Sequence, residues 1–446
     1  MKINKSPTRR LLLGAAGLAA AGTALPGFPL WRALYDQSVR TFRANADWVE
    51  DVGSVRFFPD GRTLLASGYD YAARSHFFIW DIRRGEPIAE ISGQEVCFSP
   101  DGSSVLFAGW EMLELWDVAR RQKVRSYSGL SGLVDRIAFS PDGKAIISSS
   151  GVVTSHGLDR YALKLWDVAT GNNILTFMDD SEKPIFSIAV APDGQTAISG
   201  NQELKLWDVA TGKEIFKLVR PGDHWIRSVG YSADGNMLWA VVEGETSQSK
   251  CLKLWDVSTG KEIRTFPSDY AGLPYSPYSI HMSPDRRFAL AQFSQYEGRT
   301  AGRNARVLFD LGAGMEKVID THVAGIEPVA WSPDGRTLLG VGDRLRLWDL
   351  ATGGEINSFG AHNGITELSF LPDNRTVLSG GSDRLLTLWD VVTGSKIQGF
   401  AGHTDRIGSI AVAQDGRTAL SAAGLDVKLW DFTKVLDRLP MVPRPP

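Results

Sequence analysis

The chain of 446 residues contains only two cysteines, Cys97 and Cys251. That excludes a disulfide-stapled scaffold and any thiolate metal cluster. It has no surplus of positive charge: 48 Lys and Arg stand against 51 Asp and Glu, and the net charge of −3 argues against a general nucleic-acid-binding surface. It also lacks a Gly-x-Ser-x-Gly elbow, a phosphate loop and a His-Glu-x-x-His pair. Proline is modest at 21 while glycine is high at 46, so the chain is rich in turns without being low-complexity. Hydrophobic residues at 43% and charged residues at 22% give the balance of a folded globule.

The first thirty residues have little acid and much alanine, leucine and glycine. Lys2, Lys5, Arg9 and Arg10 precede an uncharged stretch from Leu11 to Trp31, and no acidic residue occurs before Asp36. A positive end, an apolar middle and the small-residue exit Gly22-Thr23-Ala24 describe an export signal. Thr8-Arg9-Arg10-Leu11-Leu12-Leu13 resembles the twin-arginine signal, with Leu12 where that family usually has Phe and Gly14 where Lys is common. The resemblance implies transport of a folded protein to the periplasm, with residues 1–30 as signal and linker. The alternative is an anchor in the cytoplasmic membrane through residues 11–31, which Pro26, Pro29 and four glycines weaken. With no cysteine near the exit, a lipoprotein is not expected.

From residue 38 the chain repeats. A Trp-Asp or Phe-Asp pair recurs at Trp80, Trp116, Trp166, Trp207, Trp255, Phe309, Trp348, Trp389 and Trp430. Between consecutive pairs lies a tight-turn signal centred on Asp60, Asp101, Asp142, Asp193, Asp234, Asp285, Asp334, Asp373 and Asp415, most of them Pro-Asp-Gly. Alternating runs flank each turn, so each repeat reads strand, turn, strand, loop, strand ending in Trp-Asp, turn, strand. The marks lie 36 to 54 residues apart, around the roughly 40–45 of a four-stranded propeller blade.

Two independent marks in register nine times resemble the WD-repeat β-propeller family over residues 38–434, with 435–446 a Pro-rich tail. The resemblance implies an all-β, single closed propeller of four-stranded antiparallel blades, nine by this count, with an eight-bladed ring as the alternative. It also implies a structural tetrad of His362, Ser379, Asp383 and Trp389. Repeat nine keeps His403, Ser421 and Trp430 with a displaced Asp426, and repeat seven has Gly340 in place of the serine. Repeats two, four and six lack the histidine, so packing alone is expected to hold their loops. Eight Trp-Asp turns lead into an outer strand such as Ile263-Arg264-Thr265-Phe266; the ninth does not. Val39-Arg40-Thr41-Phe42, upstream of the first repeat, is nearly the same string and is expected to complete the last blade.

The turns at Pro-Asp-Gly and after Trp-Asp stay short, while loops between second and third strands vary in repeats one, three, five and six. Insertions confined to one face often mark the binding face of a repeat protein. His224, Trp225, Tyr270, Tyr275 and Tyr278, read as the loops leading into repeats five and six, form the candidate partner-binding cluster, with packing of the long loop as the competing role. Arg56 and His281 share an innermost first-strand slot with mostly small residues and are expected to be buried and hydrogen-bonded, with lining of the central channel as the alternative; Cys97 and Cys251 are expected to pack. His76 and His156 are read in long loops without ligand spacing, so no metal is expected. The reading is a monomeric, non-enzymatic scaffold for partner proteins, with no cofactor, no nucleic acid and no membrane insertion if the signal is cleaved. The alternatives are a small-ligand sensor or a propeller enzyme. Asp208–Phe216 is similar to the repeat of quinone-cofactor dehydrogenases, but ends in Phe216 where that family has tryptophan.

Overall fold

A computed structural model describes residues 36–44, 49–70, 75–130, 132–154, 157–179, 183–219, 224–244, 250–266, 269–270, 273–274, 276–297, 300–312, 315–323, 328–360 and 364–438. The signal residues Arg9 and Arg10, the apolar segment 11–31 and the tail beyond 438 lie outside the described residues. Among the described residues no helix is long and apolar enough to cross a membrane.

The described strands form nine four-stranded antiparallel sheets and one two-residue ribbon. Blade 1 comprises Val49–Phe57, Thr63–Asp70, Ser75–Asp81 and Pro87–Ser92, and the same order repeats around the ring. Nine blades therefore stand, and the eight-bladed alternative falls. Each sheet packs both faces against neighbouring sheets, which is why second strands such as Thr376–Gly381 are buried at every position. The core is accordingly a series of clusters shared between adjacent blades; one joins Leu420, Val427 and Leu429 of blade 9 to Val55, Leu64 and Phe78 of blade 1.

Aspartates set the short turns of one face. Asp60 Oδ1 accepts the N–H groups of Arg62 and Thr63 at 2.8 and 2.9 Å, and Gly61 takes φ +60° between them. After the tryptophan, Asp167 Oδ1 accepts the hydroxyl and N–H of Thr170 at 2.7 and 2.6 Å, bonds that hold its carboxyl below the usual range. In the corresponding turn of blade 5, Gly260 takes φ +64° and lies where an added Cβ would stand 2.8 Å from the Phe216 ring of blade 4. That glycine therefore serves both the turn and the packing between blades.

The outer edges share a second device. In seven blades the outermost strand carries a bulge beside the tryptophan, and the residue passed over by the pairing is Ile or Val: Ile88, Val124, Ile174, Ile215, Ile263, Ile356 and Ile397. A bulge bends and twists an edge strand, which blunts it against pairing with another chain.

Closure joins the chain's two ends. Arg40–Arg43 pairs antiparallel with Asp426–Asp431, as the fourth strand of blade 9. Phe42 packs 6.2 Å from the Trp80 ring, while the buried Lys428 ammonium donates to Asp36 Oδ2 at 2.5 Å and to Thr41 Oγ1 at 2.8 Å. Burial pushes the Asp36 carboxyl up, but hydrogen bonds from Lys428 and from the hydroxyl and N–H of Ser38 outweigh it and hold it below its ordinary range. After Asp431 the chain turns into one helical turn, Thr433–Leu436, with Phe432 packed 5.0 Å from Phe400. Blade 9 meets blade 1 through Val52 N–H to Gly424 O at 3.0 Å and Val55 N–H to Ser409 Oγ at 3.2 Å. Deleting residues 38–43 should expose the Asp426–Asp431 edge, lower the melting temperature and produce larger species in size-exclusion chromatography with light scattering. A monomer with unchanged melting would contradict this account of closure.

Candidate functional site

The hydroxyl–indole bond is the recurring polar contact inside the blades. Trp389 Nε1 donates to Ser379 Oγ at 2.8 Å, and Asp383 Oδ1 accepts the N–H of Leu385 at 3.1 Å; His362 lies outside the described residues. The same bond joins Trp166 to Ser148 at 2.9 Å and Trp207 to Ser199 at 2.8 Å. In blade 9 it extends one link further. Trp430 Nε1 donates to Ser421 Oγ at 2.7 Å, and that hydroxyl lies 2.6 Å from His403 Nε2. Because the indole can only donate, the serine proton is free to point at an unprotonated imidazole nitrogen. Burial, with the nearby Lys428 ammonium, pushes the His403 imidazole down to about 3. These side chains are spent on holding strands together.

Where the tetrad is incomplete, other groups take over. In blade 7 a Cβ added at Gly340 would stand 2.7 Å from the Arg306 guanidinium and 2.9 Å from the Trp348 ring, so the buried arginine of blade 6 fills the missing serine's place. In blade 4 buried Glu203, in the link between the second and third strands, accepts Lys205 Nζ at 2.6 Å and Lys217 Nζ at 3.1 Å and ties the third strand to the outer one; residues 180–182 of the loop without histidine lie outside the described residues. His76 lies in a strand rather than in a loop. It is buried, with Nε2 3.4 Å from Asp70 Oδ2 and Nδ1 3.2 Å from Ser92 Oγ. His156 lies outside the described residues, and no cluster of potential metal ligands occurs among the described ones.

The candidate partner-binding residues are placed differently from the sequence expectation. His224 and Trp225 are not in a loop; they begin the innermost strand of blade 5, His224–Tyr231. Tyr270 belongs to the short ribbon Asp269–Tyr270 with Leu273–Pro274, and Tyr278 to the innermost strand of blade 6, Ser276–Met282. Tyr275 lies outside the described residues, as do the side-chain surroundings of Tyr270 and Tyr278. Trp225, half-buried, meets Phe186 of blade 4 edge to face at 5.5 Å. The Arg227 guanidinium covers the Phe186 ring at 4.8 Å and donates through Nε to Glu243 Oε2 at 2.8 Å. His224 Nε2 is buried without a hydrogen-bond partner among the described residues. Phe186 and Arg227 belong to this cluster and escaped the sequence reading, because neither sits in an insertion.

The central channel holds a correction. Arg56 and His281 are exposed, not buried and satisfied: their slots lie on innermost strands, which line the axis of a closed ring. Partial burial and the Arg306 charge lower the His281 imidazole, which favours the neutral ring. Two residues before that slot, Ser409, Ser187 and Glu95 each latch the next blade by accepting the N–H of Val55, Val229 and Ile137. Glu95 and its counterpart Glu367 in blade 8 are pushed up to about 7 by burial. Cys97 and Cys251 are half-buried free thiols, raised by burial.

Comparison with known proteins rests on this geometry. The family model described as "WD domain, G-beta repeat" matches residues 353–390 and 394–431. The chain carries WD repeats. Each match starts at the turn before an outer strand and ends on the next Trp-Asp, so the WD repeat is offset from the blade by one strand. That offset is what leaves the last blade to be closed by the N-terminal strand. The chain is similar to the nuclear distribution protein PAC1 of Arthroderma otae, 25% identical over 40% of this chain and 43% of that one. It is also similar to protein groucho of Drosophila melanogaster, 35% identical over 32% of this chain and 19% of that one. An uncharacterized WD repeat-containing protein of Synechocystis is 32% identical over 24% of this chain and 28% of its own. The chain spans less than half the length of these relatives.

The WD-repeat bonds give two measurable consequences. Trp389→Ala should cost about 3–5 kcal/mol of unfolding free energy, as removal of a large core ring does; a change below 1 kcal/mol in denaturant titration would deny the bond its role. The second concerns pH. Folded His403 resists protonation while unfolded histidine takes a proton near 6.5, so its contribution is intact above pH 6.5 and is lost as pH falls toward 3. Glu95 and Glu367 act oppositely between about 4.5 and 7, so the comparison must be with a variant. Between pH 7 and pH 5 the wild type should lose about 2 kcal/mol relative to His403→Gln; parallel stability profiles would refute the neutral, buried histidine.

Proposed function

We propose that this WD-repeat propeller is a non-enzymatic scaffold that binds partner proteins on the face carrying its variable loops. The observation that carries the proposal is the Phe186–Trp225–Arg227–Glu243 cluster at the junction of blades 4 and 5. Aromatic rings and arginine are the side chains that anchor protein interfaces, because each buries much area at low conformational cost. The opposite face is built of short turns whose aspartates are engaged in hydrogen bonds, and it offers fewer irregular contacts. On this reading the protein acts as a monomer, without a cofactor, and its signal residues 1–30 send it through the twin-arginine route to the periplasm.

A second reading, a small-ligand sensor, draws on exposed Arg56 and His281 in the channel, two polar groups on innermost strands otherwise lined there mostly by small residues. It stands behind the scaffold reading because those two side chains lie on blades 1 and 6, on different parts of the ring.

Two measurements test the scaffold and its address. Trp225→Ala with Tyr275→Ala should weaken a captured partner by about 2 kcal/mol or more while leaving the melting temperature nearly unchanged. Lost stability with intact affinity would make the cluster a packing element. Arg9→Lys with Arg10→Lys should leave the full-length chain in the cytoplasm; undiminished periplasmic protein would refute the twin-arginine address.

A further inference from the structure

The most exposed aromatic residue of the described structure is Trp110, at 67% exposure, and Tyr69 follows at 55%. They occupy the same rung of adjacent blades. In each second strand the rung is the fifth residue beyond the one paired with the Trp or Phe of the Trp-Asp mark: Leu64 pairs with Trp80 and precedes Tyr69, Val105 pairs with Trp116 and precedes Trp110. The other seven blades carry only Gly, Gln, Glu, Ser or Asp on this rung. Two large exposed rings therefore occupy this rung on adjacent blades, and no other blade carries one there.

The mounting is rigid. Trp110 and Glu111 form a two-residue link between paired Gly109 and Met112, with Glu111 at φ +50°, a conformation that side-chain-bearing residues rarely adopt. The Glu111 N–H is held by Gly132 O at 2.8 Å, and Trp110 bridges to Leu133 of blade 3. The adjoining backbone is close-set: a Cβ on Gly93 would stand 2.8 Å from Ala108 O, and one on Gly68 2.7 Å from Asp51 O. Tyr69 pairs directly with Asp51 and reaches over Gly53.

The charge around the pair is mostly negative. Glu111 adjoins Trp110, Asp135 lies two residues beyond its bridge partner, Asp51 faces Tyr69, and Asp405 of blade 9 acts on Asp51. Among the described residues two arginines share the sector. Arg136 is turned onto the carbonyls of Phe186 and Asp135, and Arg406 acts on Asp51.

Resting on the scaffold reading and deepening it, we infer that the blade 1–2 sector docks a basic, partly apolar peptide segment of a partner protein. Its Arg or Lys side chains would lie over the Tyr69 and Trp110 rings, where cations are attracted to the ring faces. Their charge would be met by Glu111, Asp51 and Asp135.

The test uses the full-length protein and two fluorescein-labelled peptides, one alternating Arg and Leu and one with Glu in place of Arg, followed by fluorescence anisotropy. The basic peptide should bind, the acidic one should not, and added salt should weaken the complex. Trp110→Ala should weaken binding about tenfold or more without a shift in melting temperature, and Glu111→Gln more modestly. Ile356→Ala should leave it unchanged, since that exposed side chain lies on the outer strand of blade 7, outside both sectors. Equal binding of both peptides, or affinity indifferent to Trp110→Ala, would overturn the inference. So would concentration-dependent dimerisation abolished by Trp110→Ala, which would make a second copy the occupant. If neither peptide binds while the Trp225 and Tyr275 double variant loses its partner, this inference fails and the scaffold reading survives.

Discussion

Everything in this molecule depends on the pairing of Arg40–Arg43 with Asp426–Asp431. A blade buries both its faces only when it has a neighbour on each side, so an open row of sheets would leave two apolar faces and an unpaired edge in water. The ring removes both at once. The pairing joins opposite ends of the sequence, and it is reinforced by an ion pair between buried Lys428 and half-buried Asp36. Such a pair costs desolvation and returns specificity of register, because either charge left alone would be buried without compensation.

Within the ring, repetition is economical in polar groups. One indole N–H meets one hydroxyl in blades 3, 4, 8 and 9, and aspartates fix the turns between the first and second strands and between the third and outer strands. Because these aspartates, serines and histidines are consumed in holding strands, the residues that look most like chemistry in the sequence have the least freedom to perform any. Departures are absorbed locally: the Arg306 guanidinium fills the space of a serine in blade 7, and Glu203 with Lys205 and Lys217 ties the third strand to the outer one in blade 4.

On the scaffold reading, function is concentrated where repeats differ. Two sectors of the loop-bearing face carry unlike chemistry: a half-buried aromatic–arginine stack at blades 4 and 5, and an exposed aromatic pair among carboxylates at blades 1 and 2. A disc with separate sectors suits a protein that holds more than one segment of a partner, and the rigid strands beneath them supply the fixed spacing.

The sequence by itself determined the architecture. Nine Trp-Asp marks in phase with nine turn signals leave one periodic solution, and the likeness of Val39–Phe42 to Ile263–Phe266 already pointed to the closing strand, because both reflect short-range rules of alternation and turn chemistry. What tertiary structure alone decided is which side chains reach water. Arg56 and His281 share a sequence context with packed residues, and only the ring's curvature turns their slots toward an open axis. His224 and Trp225 read as loop residues until a bulge between Ile226 and Ser228 extended the strand to include them. Trp110 drew no notice because its loop is among the shortest, and insertion length is what a sequence displays. Exposure depends on neighbours that are distant in the chain, and no local pattern of residues encodes it.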